Sequence, residues 1–329
     1  MEFEKDLIFS IDSPEEFHQR TLQVFHQQYV GNPFYKAFCD HLKASPKTVS
    51  QLEDIPFLPI QFFKSKQIVT GNFSSQTGTT FTSSGTTGTT TSKHLVPDLS
   101  LYEESFSRAF EQFYGPISDF CILALLPSYL ERQGSSLIYM VNSLIQKSNH
   151  SNSGFYLNNL DDLKNQLILL QKDEKKVLLI GVSFALLDLA DIVDFPLKNT
   201  IVMETGGMKG RRKEMIRSEL HSILKSAFGV EYIHSEYGMT ELLSQAYSLG
   251  SGIFNCPPWM KILIRDTEDP LNYQKSHRTG GINVIDLANI NSCAFIATQD
   301  LGKQYPDGSF EVLGRFDHAD VRGCNLMVI

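Results

Sequence analysis

Residues 176–207, KVLLIGVSFALLDLADIVDFPLKNTIVMETGG, decide the fold class. KVLLIG is a short apolar run with no polar alternation, the pattern of a strand buried on both faces. FALLDLADIV repeats its apolar residues at helical spacing. TIVMETGG returns to strand character. Strand, helix and strand within about thirty residues make a βαβ unit.

The pattern extends outward in both directions. Upstream lie the apolar run FCILALL (120–126), the helical SSLIYMVNSLIQK (135–147), a short strand GFYL (154–157) and a helix near 160–172. Downstream, KGRRKEMIRSELHSILKSAFG (209–229) reads as a helix and VEYIHSEYG (230–238) as a strand. This alternation predicts an α/β fold with a doubly wound sheet, whose ligands sit outside the carboxyl ends of the strands.

The N-terminal stretch is helical. Ser13 to Glu16 is a capping box with Pro14 at the first helical position. Phe17, Thr21, Val24 and Phe25 repeat at helical spacing, and Gly31-Asn32-Pro33 stops the helix. A second helix is expected over 34–42, and Pro56 and Pro59 break the segment IPFLPIQFFKS (55–65). A capping box from Ser100 to Glu103 opens a helix with Phe106, Ala109, Phe110 and Phe113 on one face. After Leu249 come short strands, WMKILIRD, GGINVIDL, AFIATQD and SFEVLGR, separated by turns. The expected organisation is an α/β nucleotide- and acyl-binding region over 1–249 and a β-rich subregion with a C-terminal tail over 250–329, packed as one compact unit.

Composition narrows the function. The 329 residues carry 29 Lys+Arg against 37 Asp+Glu, a net charge of −8, with 42% hydrophobic residues. That composition builds a large core and excludes wholesale disorder. The acidic balance argues against phosphate-wrapping nucleic-acid binders and polybasic membrane anchors. The longest apolar runs fall far short of the ~20 residues of a spanning helix. The N-terminus, MEFEKDLIFS, has no apolar signal region. Cys39, Cys121, Cys256, Cys293 and Cys324 form no CxxC pair. The expectation is a cytoplasmic protein without structural zinc.

Two segments carry chemistry. TGTTFTSSGTTGTTTS (77–92) is Ser, Thr or Gly everywhere except Phe81. Such a stretch is either a flexible linker or a loop whose glycines and hydroxyls cradle phosphate. It is not a Walker loop, since GxxxxGK[ST] is absent. HSEYGMTELLSQ (234–245) places Tyr237, Thr240 and Glu241 where a strand is expected to give way to a helix. A hydroxyl and a carboxylate there suit a phosphate and its Mg²⁺; the alternative for Glu241 is a solvated first-turn residue.

Thr82–Gly88 (TSSGTTG), Glu204–Gly207 (ETGG), Glu236–Glu241 (EYGMTE), Thr298–Asp300 (TQD) and Gly314–Gly323 (GRFDHADVRG) occur in the order of the core motifs of adenylate-forming enzymes. That superfamily includes acyl-CoA ligases, peptide-synthetase adenylation domains and beetle luciferases. Within it, the stretches LLPSYLERQGSSLIYM, ETGGMKGRRKE, SEYGMTELLSQAYS and FEVLGRFDHADVRGCNLM resemble the acyl-protein synthetases of bacterial luciferase systems. The likeness covers nearly the whole chain and is weakest over the first fifty residues or so. It implies the large N-terminal domain of an adenylate-forming enzyme. The implied activity is ATP-dependent activation of a long-chain fatty acid, with the acyl group held on a C-terminal cysteine and passed to a reductase partner; the alternatives are an AMP-forming acyl- or aryl-CoA ligase like the phenylacetate-CoA ligases and a nucleotide-binding scaffold without catalysis.

The resemblance also implies residue roles. Ser83, Ser84, Gly85, Thr86, Thr87 and Gly88 would lie over the ATP phosphates. Gly206 and Gly207 would lie against adenine, Tyr237 would stack on it, and Gly238 belongs to the same nucleotide site. Thr240 would bond the α-phosphate and Glu241 would hold Mg²⁺. Asp300 would accept from the ribose hydroxyls with Arg315 behind it, and His234 would lie near the substrate carboxylate.

The sequence departs from the superfamily in two places. The lysine that commonly comes after the phosphate loop is here Thr91. The nearest cation is Lys93, beside His94; it either does the same work or is a surface lysine. The chain also runs only six residues past Gly323. The expectation is therefore a unit without the mobile C-terminal domain and its lysine. Cys324 sits in this tail beside Arg322, whose charge favours a thiolate; it reads either as the acyl carrier or as a small buried hydrophobe. The Lys209–Glu214 cluster reads as a solvated face, a docking patch for an acidic partner or a group near the pyrophosphate exit. Tyr129, Leu137, Met140 and Phe184 lie in segments able to line an acyl pocket or to fill core.

Overall fold

The computed structural model describes residues 5–74, 78–84, 91–127, 134–172, 175–206 and 215–316. Helices α1 (Asp6–Phe9), α2 (Pro14–Gly31) and α3 (Pro33–His41) come first. Ser13 Oγ caps α2 by accepting from Glu16 N at 3.3 Å, and Asn32 Oδ1 caps α3 by accepting from Tyr35 N at 3.0 Å. Next come β1 (Leu58–Pro59), the hairpin β2 (Thr79–Thr82) and β3 (Lys93–Val96), and α4 (Leu99–Tyr114). The alternating region runs β4 (Phe120–Leu125), α5 (Ser136–Ser148), β5 (Gly154–Phe155), α6 (Leu160–Leu170), β6 (Lys176–Val182), α7 (Ser183–Ala190), β7 (Thr200–Thr205), α8 (Arg217–Phe228) and β8 (Ile233–Tyr237). Six strands complete the described part: β9 (Ala246–Ser248), β10 (Ile253–Asn255), β11 (Met260–Arg265), β12 (Thr279–Asp286), β13 (Phe295–Gln304) and β14 (Phe310–Arg315).

The strands β5-β4-β6-β7-β8 lie side by side and parallel. Every residue of β4 is buried, as expected of a strand covered on both faces. Beyond β8 the same sheet continues antiparallel as β9-β10-β14-β13-β12-β11, with β1 added parallel to β13.

Three local expectations differ from the structure. Helix α4 starts before the Ser100 box, because Asp98 caps it by accepting from Ser100 N at 3.0 Å. Helix α8 begins only at Arg217, since Ile216 is extended; residues 209–214 lie outside the described part. Most consequentially, no helix succeeds β8. The chain turns over residues 240–243 and returns as β9, with Glu236 opposite Tyr247.

Buried side chains from distant segments hold this turn. His94 on β3 sets Nδ1 2.8 Å from the Thr240 carbonyl and Nε2 3.0 Å from Asn289 Oδ1. Asn289 Nδ2 donates to the Glu241 carbonyl at 2.8 Å. Asp286 accepts from Leu243 N at 2.7 Å, Ser244 N at 3.0 Å and Ser244 Oγ at 2.5 Å. A turn without a ladder still has to satisfy its backbone groups, and here side chains do it.

Burial pushes the His94 imidazole down to about 4, against its two oxygen partners, which favour the protonated ring. Burial pushes Asp286 up to about 6, although its hydrogen bonds oppose the shift. The two groups pull stability in opposite directions with pH. His94 contributes stability that is full above its unfolded pKa of about 6.5 and lost as pH falls toward 4. Asp286 contributes stability that is full below about 4 and lost as pH rises through 6. Replacing His94 by Gln removes only the first. The unfolding free energy of wild type relative to H94Q is expected to fall by about 2 kcal/mol from pH 7 to pH 5 in urea melts. A pH-independent difference would contradict a neutral buried imidazole.

Candidate active site

The hairpin β2–β3 carries the Ser/Thr/Gly segment. Thr82 pairs with Lys93, Ser83 N donates to Ser92 O at 3.1 Å, and Ser92 N donates to Ser83 Oγ at 2.9 Å. The loop is thus pinched shut at its base. Gly85, Thr86, Thr87 and Gly88 fall outside the described residues. Ser92 is buried, and its hydroxyl favours the charged form of the Glu241 carboxyl. This interaction joins the base of the loop to the turn after β8. Lys93 is exposed at the start of β3.

Glu241 is 5% exposed and is not a solvated first-turn residue. Burial pushes its carboxyl above the ordinary value; the Ser92 hydroxyl and the charges of Arg315 and Lys64 counteract in part. Among the described residues no group of three His, Cys, Asp or Glu gathers around a metal position. A lone buried carboxylate fits Mg²⁺, which takes one or two carboxylates and completes its shell with substrate phosphates and water.

A second cluster lies on one face of β8. The Tyr237 hydroxyl donates to Asp300 Oδ2 at 2.9 Å, and Arg315 Nε donates to Asp300 Oδ1 at 3.1 Å. Asp300 and Arg315 are direct cross-strand partners on β13 and β14. Tyr237 is buried edge-on against Phe254 and Phe310. Gly206 follows β7 at φ 70°, a left-handed conformation, and its carbonyl accepts from Ser183 Oγ at 2.9 Å. Gly207 lies outside the described residues, as does Cys324.

A cavity of about 140 Å³ opens beside the hairpin and the turn after β8. Ser84, Gly206, Gly238 and Thr240 all line it, so four residues singled out by the motifs meet at one space. Its opposite wall comes from α4 and α5, through Tyr102, Leu137 and Met140. Leu137 and Met140 are therefore wall residues. Phe184 is buried in α7 and absent from the lining, and Tyr129 lies outside the described residues. His234 sits on the same face of β8 as Glu236 but is not part of the lining. Its Nδ1 lies 3.3 Å from the Tyr114 hydroxyl, and burial pushes the ring down to about 4.

Two wall residues escape sequence reasoning. Glu236 lines the cavity, and burial pushes its carboxyl up to about 7, with Glu204 adding to the rise and the Thr205 hydroxyl opposing it. Gln245 lines it too, 3% exposed. Strand alternation is the available signal for Glu236: it points to the face opposite Tyr237. Nothing local marks Gln245. Glu204 of the ETGG segment is structural. Burial alone would raise its carboxyl, but His221, Arg217 and Ser235 hold it below the ordinary value.

No helix among the described residues is long and apolar enough to cross a membrane. No curated protein matches the sequence. Among solved structures the chain is similar to 2-hydroxyisobutyryl-CoA ligase in complex with 2-HIB-AMP and CoA, at 13% identity over 97% of this chain and 74% of that one, with a TM-score of 0.68. It is also similar to ATP-bound MatB from Rhodopseudomonas palustris, at 14% identity over 85% of this chain and 56% of that one, with a TM-score of 0.55. The chain thus spans little more than half the length of MatB. At such identities the likeness establishes the fold, that of the N-terminal domain of adenylate-forming ligases. Residues 4–329 match the family described as "Acyl-protein synthetase, LuxE". With nearly every residue inside that match, the chain belongs to the LuxE acyl-protein synthetase family.

Proposed function

We propose that this protein joins a carboxylic acid to ATP as an acyl-adenylate and then transfers the acyl group to a thiol. The observation carrying the reading is the convergence of Ser84, Gly206, Gly238 and Thr240 on one cavity, with Glu241 tied to the loop base through Ser92. In this reading the substrate carboxylate attacks the α-phosphorus, an O–P bond forms, and the bond to pyrophosphate breaks. Thr240 and the loop hydroxyls donate to the phosphate oxygens as charge develops. Asp300 accepts from the ribose hydroxyls, which take the place of the Tyr237 donor, and Arg315 keeps the carboxylate oriented. Glu241 would hold Mg²⁺, which supplies charge neutralisation on the phosphates.

In the second half-reaction a thiol sulfur attacks the acyl carbonyl, the bond to AMP breaks, and the thiol proton passes to solvent. We assign that thiol to Cys324 on the family resemblance, with a long-chain fatty acid as substrate and an acyl-accepting reductase as the downstream partner. Lys93, exposed beside the loop, is the cation assigned to the departing pyrophosphate.

Three measurements test this reading. Glu241→Ala is expected to lower carboxylate-dependent pyrophosphate exchange at least about 100-fold; unchanged exchange would contradict the assigned role. Asp300→Ala removes a charged acceptor, and a loss of that kind raises the KM for ATP about 10-fold or more. Radiolabelled fatty acid with ATP should label wild type and not Cys324→Ser, while exchange persists in the variant. Equal labelling of the two proteins would remove Cys324 from the mechanism.

A further inference from the structure

Resting on the reading above, we propose that Glu236 is the general base of the thiol-transfer step, taking the proton of the attacking thiol as the thioester forms. The chemistry dictates where such a base stands. In an acyl-adenylate one bridging oxygen separates the acyl carbon from the α-phosphorus, so the atom under attack lies beside the group that holds that phosphate. Thr240, assigned to the α-phosphate, and Ser84 of the loop line the cavity of about 140 Å³, and Glu236 lines it with them. A sulfur poised to attack stands about 3–3.5 Å from the acyl carbon, hence in this space or at its mouth.

Within the lining Glu236 has no rival for this task. No aspartate, histidine, lysine, arginine or cysteine is among the described residues around the cavity, and Glu241 is not one of them. The lining tyrosine, Tyr102, is pushed well above its ordinary value by burial. Glu236 itself is only partly covered by the protein. Its Oε2 accepts from Thr205 Oγ1 at 2.6 Å, which anchors one side of the carboxyl. Its Oε1 occupies the space that a Cβ at position 238 would fill, next to Gly238, itself a lining residue. The glycine gives that second oxygen room at the cavity wall.

Burial pushes the carboxyl up to about 7; the Thr205 bond opposes the shift and the charge of Glu204 on β7 adds to it. The other titratable groups facing it, Tyr102 and Tyr114 on α4 and Tyr247 on β9, are all shifted upward and stay neutral there. A base of this strength is matched to neutral pH, where an ordinary thiol is ionised to only a few per cent. In the step, the sulfur–carbon bond forms and the thiol proton moves to Glu236 Oε1. The carbon–oxygen bond to AMP breaks with its electron pair on the phosphate, and the proton passes from the carboxyl to solvent. Order is built in. While the triphosphate is bound, its charge favours the protonated carboxyl. Departure of pyrophosphate removes most of that charge, so the base becomes competent once the adenylate exists.

Synthetic hexadecanoyl-AMP, radiolabelled in the acyl group, isolates the transfer step in the full-length protein, while pyrophosphate exchange with hexadecanoate and ATP reports adenylation. The carboxylate is the active form, so the wild-type rate of thioester formation is expected to rise about tenfold per pH unit up to about 7 and then level off. Glu236→Gln keeps an acceptor for Thr205 and should lower thioester formation at neutral pH by about 100-fold or more relative to exchange. Its rate should follow the thiol's own ionisation, ordinarily near about 8.5, in place of the limb near 7. Thr205→Val removes the bond that favours the carboxylate, so the limb should move to higher pH. A wild-type rate without that limb, or a limb near 7 that survives Glu236→Gln, would overturn the proposal and leave the adenylation reading intact. Where thermal melts show that Glu236→Gln does not fold, an unmoved limb in Thr205→Val does the same. Exchange without any thioester removes the transfer half of the reading together with this proposal. Thioester without exchange removes the adenylation half, and the limb still decides the role of Glu236.

Discussion

The site depends on side chains that hold a turn no helix or strand supports. Residues 240–244 carry Thr240 and Glu241, yet the chain there runs from one strand of the sheet to the next. Two of its carbonyls face His94 and Asn289, and two of its amides donate to Asp286. Leaving any one of these buried groups unpaired costs about 1–3 kcal/mol. The directions of the Thr240 and Glu241 side chains result from where those backbone groups are pinned. Because His94 belongs to the hairpin that carries the loop, loop stem and turn form a single unit. Ser92, two residues earlier, adds an electrostatic influence on Glu241.

The clamp is itself supported from the N-terminal helices. Gln28 on α2 donates to the carbonyls of Asn289 and Ile290 at 3.1 and 2.9 Å and accepts from Ala294 N at 2.9 Å. The segment bearing Asn289 is thereby fixed before it reaches His94. Ser105 on α4 joins Ser244 Oγ at 3.0 Å and accepts from Trp259 Nε1 at 3.0 Å, and Trp259 packs edge-on against Phe9 of α1. The stretch whose motifs are least informative thus braces the site. Its contribution is packing and hydrogen bonding remote from any reacting atom, which leaves no short pattern to recognise.

Legible and hidden features divide along this line. Apolar runs and capping boxes place β4 through β8 and the helices between them, because strand burial and helix capping are local properties. The motifs assign Asp300 and Arg315 to one task, and the β13–β14 register makes them neighbours. The turn after β8 reads instead as a helix start, since a hydroxyl and a carboxylate after a strand match a first-turn composition. Its true partners lie far away: 146 residues separate His94 from Thr240, and 48 separate Asn289 from Glu241. Gln245 is hidden for the same reason. A glutamine after a strand is ordinary until the fold buries it beside a cavity.

Of the buried carboxyls around the turn after β8, Glu236 lines the cavity. Glu236, Glu241 and Asp286 are all shifted upward by burial, and none of them has a lysine or arginine bonded to it among the described contacts. A desolvated carboxylate repels a triphosphate strongly when nothing screens the pair. Protonation of Glu236 near neutral pH removes much of that repulsion inside the cavity. At the phosphate end, the charges of Arg315 and Lys64 act on Glu241 from a distance, and the remaining compensation has to arrive with the substrates. A site built this way is a poor place for free anions. It becomes a good one only when the nucleotide brings its own cation, so binding and charge compensation are one event.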